Sequence, residues 1–223
     1  MALTRLGPNN STNISGINLT SQVTGTLPIA NGGTAATTAA ALANTGNLVL
    51  IKTQTASAAS SVEFINGSSD VVYDSTYKQY VLKIVNATAS ANSEMYLRFR
   101  TSSSFQTTNY YRSYFIQRTN NTTTQSSATN DGTYGIRLEH NYTGQAPSAS
   151  NFEIILPDPS STSLHKSVVW NCWGSNQEST TKVMQLDGVG FYSTNSSDAI
   201  TGVGLFPRTG TLYGTYSLYG VKT

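Results

Sequence analysis

The sequence predicts an all-β chain, an antiparallel sandwich or barrel preceded by an extended N-terminal segment. Three observations carry this prediction. From Leu48 onward, apolar residues alternate with polar ones in roughly ten to twelve short runs, the period of half-buried strands. Turn residues punctuate those runs, and only one short stretch has the composition of a helix. The chain carries 13 Tyr, 7 Phe and 2 Trp, although only 11% of its residues are charged. That aromatic content argues for a packed core rather than a disordered chain. The abundant Ser, Thr and Asn compete with helical hydrogen bonds and suit β-structure.

Residues 1–26 hold scattered apolar side chains, among them Leu3, Leu6, Ile14, Ile17 and Leu19, separated by Gly, Asn and Thr. Ordering a chain costs roughly 1–2 kcal/mol per residue, which so thin a set does not offset in a single copy. It does so if three copies wrap around one another or if the segment lies along another protein. The next stretch, Leu27-Pro28-Ile29-Ala30-Asn31-Gly32-Gly33-Thr34, excludes an ordinary helix or strand. Pro28 removes a donor and fixes φ, and Asn31-Gly32-Gly33 is a tight-turn signal. Ala35 to Ala43 has the composition of a two-turn helix, stopped by Asn44-Thr45-Gly46. Residues 1–46 are therefore expected to form an extended attachment and shaft segment with a short Ala-rich helix, and residues 47–223 a β-sandwich head.

Within the head, Leu48 to Ile51 reads as a first, buried strand and Val62 to Ile65 as a second, followed by the turn Asn66-Gly67-Ser68-Ser69. Tyr80, Leu82 and Ile84 share one face of a third. In Met95 to Arg100 the alternation is cleaner: Met95, Leu97 and Phe99 face in, Arg98 and Arg100 out. Tyr111 to Gln117, Ile136 to Glu139, Phe152 to Leu156 and Ser167 to Trp173 follow. Met184 to Tyr192, Ala199 to Leu205 and Gly214 to Tyr219 complete the set, while Thr119 to Gly132 reads as a polar loop. Gly188, Gly190, Gly202 and Gly204 mark bulges or close approach by a neighbouring chain.

Two stretches carry a resemblance. Leu27 to Thr38, Leu-Pro-Ile-Ala-Asn-Gly-Gly-Thr-Ala-Ala-Thr-Thr, resembles the LPxANGGTGATT element of bacteriophage tail fibres and related appendage proteins, with Ala35 in place of Gly. Gly214 to Lys222 is similar to the GxxSLYGIK endings of structural proteins from marine and cyanobacterial phages, with Val221 in place of Ile. The resemblance implies a homotrimeric virion surface fibre with a jelly-roll-like head. It also implies attachment to other virion proteins through the N-terminal segment, residues Leu27, Pro28, Ile29, Asn31, Gly32 and Gly33 included. The expected position is the virion surface, on tail or capsid.

Composition excludes several classes. A net charge of +2, dispersed along the chain, does not describe a nucleic-acid binder. No stretch approaches the roughly 20 apolar residues of a membrane span, and Met1 to Pro8 lacks the apolar core of a signal peptide. The resemblance implies a protein made in the host cytoplasm. The single Cys172 forms no intrachain disulfide and reads as a small buried apolar residue.

Nothing places His140 or His165 beside a nucleophile. Paired carboxylates for polysaccharide hydrolysis would come from Asp70 with Asp74 on one strand face, Glu139 with Glu153, or Asp187 with Asp198. Asp is also a turn residue, and the chain is read as non-enzymatic, with no catalytic, metal-ligating or cofactor-binding set. Binding is the expected role. Tyr110-Tyr111-Arg112-Ser113-Tyr114-Phe115 is the densest aromatic cluster. Its Tyr111 and Phe115 read as core. Tyr110, Arg112 and Tyr114 read as the side chains that contact a host surface polysaccharide or protein, or that fill a trimer seam. Trp170 and Trp173 read as core or interface. The expected function is a glycan-binding tail fibre, with a capsid-attached fibre or decoration protein as the alternative and a depolymerase as a third reading.

Overall fold

The computed structural model describes residues 47–119, 123–128, 134–138, 149–175, 183–193 and 198–222. The expectations for Leu3, Leu6, Ile14, Ile17, Leu19, Leu27, Pro28, Ile29, Asn31, Gly32, Gly33 and the Ala-rich helix lie outside these residues.

The described head is an antiparallel β-sandwich. Its larger sheet holds β1 (Leu48–Ala59), β13 (Leu212–Val221), β3 (Gln79–Ala89), β9 (Ser150–Pro157), β10 (Lys166–Ser175), β11 (Val183–Tyr192), β6 (Tyr110–Arg118) and β7 (Thr123–Ala128), in that spatial order. The smaller sheet runs β2 (Val62–Ile65), β12 (Ile200–Pro207), β4 (Met95–Thr101) and β5 (Ser104–Phe105), and β8 (Ile136–Arg137) also pairs with β4.

Period-two alternation builds the core. Leu218, Leu82, Ile154 and Trp170 lie in register across four neighbouring strands and are all fully buried. Tyr216, Ile84, Phe152, Cys172 and Leu186 form the next inward row. Phe64, Leu97, Phe99, Val203 and Leu205 project from the small sheet into the same core. The Trp170 indole N–H donates to the Leu138 carbonyl at 2.7 Å, so the largest core side chain buries its donor at no unpaired cost.

Gly188 stands opposite Trp170 in the register. A Cβ there would lie 2.3 Å from the indole ring, so only glycine leaves room for it. Gly204 is similarly covered by Phe206 and Phe105, whose ring atoms stand 2.6 and 2.8 Å from its missing Cβ. The close approaches expected from a neighbouring chain are thus made, at these two glycines, by the chain's own aromatic rings.

Four expectations are corrected. Thr123–Ala128, read as loop, is an edge strand paired with β6 from Gln117 to Arg112. Its hydroxyls and amides gave no apolar alternation to find. In β1 only Val49 of the run Leu48 to Ile51 is buried, because one face of this strand is left open. Asp70 and Asp74 do not share a strand face. Asp70 has φ +67° in the turn after β2, and Asp74 accepts from the Thr76 N–H at 2.8 Å. That bond and one from the Thr76 side chain hold the Asp74 carboxyl below its ordinary pKa. Both aspartates serve loop geometry rather than a carboxylate pair.

The fourth concerns β6, where the inward and outward sets are the reverse of the sequence reading. Tyr110, Arg112 and Tyr114 are buried, whereas Phe115 is exposed and Tyr111 half-buried. Tyr110 Oη donates to the Gln106 carbonyl at 3.1 Å and accepts from the Phe99 N–H at 2.8 Å. The Arg112 guanidinium lies 4.7 Å from the Tyr114 ring centroid, and Tyr114 Oη accepts from Arg137 at 2.8 Å. The Tyr114 ring faces the buried Arg112 cation, and its hydroxyl accepts from the half-buried Arg137.

Candidate functional site

The same register that buries one face of the large sheet sets out the other in rows. Leu50, Tyr219, Val81, Ile155, Val169, Val189 and Ser113 stand opposite one another in turn on β1, β13, β3, β9, β10, β11 and β6. This row is almost wholly apolar. Leu50 and Val189 are 52% and 53% exposed. Phe191 and Tyr111, one row away, stack with ring centroids 4.8 Å apart and planes 6° from parallel.

The rows on the other side are polar. Ser217, Lys83, Glu153, Asn171, Asp187 and Phe115 form the first. Asn151, Trp173, Gln185 and Gln117 form the second. Trp173 is 47% exposed. Two concavities share Trp173 and Gln185 in their linings. One, of about 530 Å³, is lined by Gln117, Arg118, Thr119, Trp173, Gly174, Val183, Met184 and Gln185. The other, of about 380 Å³, is lined by Glu153, Asn171, Trp173 and Gln185.

The polar side chains around Trp173 are held by one another. Glu153 pairs with Lys83 at 3.2 Å. Asp187 Oδ1 accepts from the Asn171 amide, and Gln185 Nε2 lies 3.5 Å from Asp187 Oδ2. With its NH₂ group turned to Asp187, the Asn171 amide leaves its oxygen as a free acceptor, and Gln185 is aimed the same way. The Trp173 indole N–H makes no hydrogen bond among the described residues. An exposed aromatic plane rimmed by fixed polar groups is an arrangement that holds a ligand by one flat face and a few directed bonds.

Of the residues expected to contact a ligand, Tyr110, Arg112 and Tyr114 are turned into the core, away from this surface. The site instead uses β9, β10 and β11, and Trp173 was assigned to core or interface. A signal was present in the spacing. Trp170 and Trp173 are three residues apart, so period two sends them to opposite faces, and only one can enter the core. Cys172 is buried as expected, and His165 is exposed in the segment before β10. His140 and Glu139 lie outside the described residues. Among the described residues no group of His, Cys, Asp and Glu side chains could hold a metal ion, and no helix is long and apolar enough to cross a membrane.

Compared with protein-family models, with curated proteins and with solved structures, the chain matches none.

Proposed function

We propose that this chain is a bacteriophage virion fibre protein, a homotrimeric and non-enzymatic tail fibre whose head binds host cell-surface glycan through the outer face of the large sheet. The observation that carries the binding role is Trp173, a bare indole in the lining of two concavities and ringed by oriented amides and carboxylates. The phage assignment rests on the resemblance of Leu27–Thr38 and Gly214–Lys222 to appendage proteins. In this reading residues 1–46 attach the protein to other virion proteins and begin the shaft.

The wiring supports a jelly-roll reading of the head. The first strand pairs with the last and β2 with β12, while β3 and β4 take the next places in their respective sheets. That interleaving is what two nested Greek keys require. β10, β11, β6 and β7 then extend the large sheet beyond β9. The exposed apolar side chains of this row, Val169 and Val189 on neighbouring strands with Leu50 further along, support trimer formation, since exposed apolar area on a single chain marks an interaction surface. Three heads on one shaft would multiply weak glycan affinities through effective concentration.

Immunogold labelling of intact particles with antibody raised against residues 47–223 tests the assignment. Label at the tail is the expected result. Label spread over the capsid would replace the tail fibre by a capsid-attached fibre or decoration protein, and unlabelled particles would end the virion reading.

A further inference from the structure

The geometry points to a specific ligand class for the Trp173 site: a neutral, hydroxyl-rich oligosaccharide of at least two pyranose units that stacks across the indole, with acidic sugars turned away. This rests on the glycan-binding reading and deepens it.

The size argument comes from the two concavities. They share Trp173 and Gln185 in their linings. At about 530 and 380 Å³ each is roomy enough for one sugar ring. A single pyranose covers one of them, and a linked pair covers both while keeping one apolar sugar face on the indole.

The class argument comes from the polarity of the rim. Asn171 uses one N–H on Asp187, and Gln185 turns its NH₂ group the same way, so each presents its amide oxygen with one N–H beside it. Glu153 and Asp187 add carboxylates in the same row, on strands separated only by β10. The surface around the ring is thus mostly acceptors. Its natural complement is a ligand that donates, which sugar hydroxyls and acetamido N–H groups do. The cations do not reverse this. Lys83 is paired with Glu153 at 3.2 Å, and Arg118, one register position beyond Gln117, is half-buried in the lining of the larger concavity. A uronic acid or a phosphorylated sugar laid across Trp173 would bring its charge against the Asp187 carboxylate, which no cation pairs among the described residues, a like-charge cost that discriminates between ligands.

The site stays open in a trimer built on the apolar row. Trp173 is four residues along β10 from Val169, roughly 13 Å at about 3.3 Å per residue.

Full-length protein is titrated with maltose, cellobiose, N,N′-diacetylchitobiose and digalacturonic acid. Tryptophan emission and acrylamide quenching follow binding. Trp170 is fully buried, so the quenchable signal belongs to Trp173. At least one neutral disaccharide is expected to shift that emission and protect it at millimolar concentration, with digalacturonic acid at least ten-fold weaker. Binding of the protein to host cells is measured alongside. Trp173→Ala is expected to lower it ten-fold or more and Trp173→Phe to keep most of it, with unchanged circular dichroism.

Stronger binding of digalacturonic acid than of all three neutral sugars overturns the ligand class. Host-cell binding that resists periodate and is unaffected by Trp173→Ala overturns glycan binding altogether. Periodate-sensitive binding unaffected by Trp173→Ala leaves the glycan reading standing and overturns this site.

Discussion

The two outer faces of the sandwich follow the same period-two rule and end in opposite states. On the small sheet the outward residues close over one another. Arg98 lies 4.5 Å from the Phe206 ring centroid, and Phe206 packs edge-on against Phe105 at 5.1 Å, over Gly204. At one end Glu94 is ion-paired with Arg137 at 3.7 Å and Arg208 at 3.3 Å, while Arg208 lies 5.4 Å from the Tyr134 ring. On the large sheet Leu50, Phe115, Val169, Trp173, Val189 and Phe191 stay exposed. One face has satisfied itself within the chain. The other leaves apolar area and directed polar groups exposed. Alternation tells which residues leave the core; it does not tell which of them find partners afterwards.

Alkaline pH acts most strongly, because it reaches the layer that both faces enclose. Burial raises Tyr73 well above its ordinary value and pushes Tyr80 up to about 12, and it raises Tyr110 further. A folded-state pKa above the unfolded one favours the protonated form. Stability from these groups is therefore complete below about pH 10 and is lost as pH rises toward 12 and beyond. Denaturation midpoints measured from pH 7 to 12 should be flat and then fall from about pH 10. A fall that begins well below that would place control on surface groups instead.

Glu94→Ala should be the costliest single change on the sealed face. Arg137 would keep a largely buried guanidinium without its carboxylate, a loss of about 3 kcal/mol. Urea unfolding reads it, and a change under 1 kcal/mol would mean that the cluster is held by its rings rather than by its charges. Gly204→Ala comes next. Its Cβ would press on the Phe206 and Phe105 rings, which costs about 1–2 kcal/mol as they shift.

Val189→Ser should be the mildest for folding, within about 0.5 kcal/mol by the same unfolding measurement. It sharpens the contrast, since light scattering should show weakened association in a protein of nearly unchanged stability. Equal stability losses for Val189→Ser and Gly204→Ala would erase the distinction between the faces.

Most strands could be read from the sequence because one face of each is consistently apolar. Met95 to Arg100 is the clearest, with Met95, Leu97 and Phe99 buried and Arg98 and Arg100 outward. β6 was located but reversed. Tyr110-Tyr111-Arg112-Ser113-Tyr114-Phe115 has aromatic residues on both faces, so alternation could not fix the phase. A charged residue in the buried set pointed the wrong way until the Tyr114 ring beside it was known. β5 and β7 were missed because two residues, and a run of Thr, Gln and Ser, carry no apolar period. The candidate site was hidden for a different reason. Glu153, Asn171 and Asp187 lie on three strands and meet only through register, which a linear reading does not supply.

The fit of the Trp170 indole over Gly188 has a consequence for how the head can vary. It acts as an indexing pin between β10 and β11. A slip of one residue would drive the indole against a side chain and exchange the two faces of the hairpin. With alignment fixed inside the strands, the segment joining Ser175 to Val183 is relieved of setting it. Length and composition there can drift while Trp170 and Gly188 hold the register. Variation is thereby tolerated between the two strands and withheld from the layer that holds the head together.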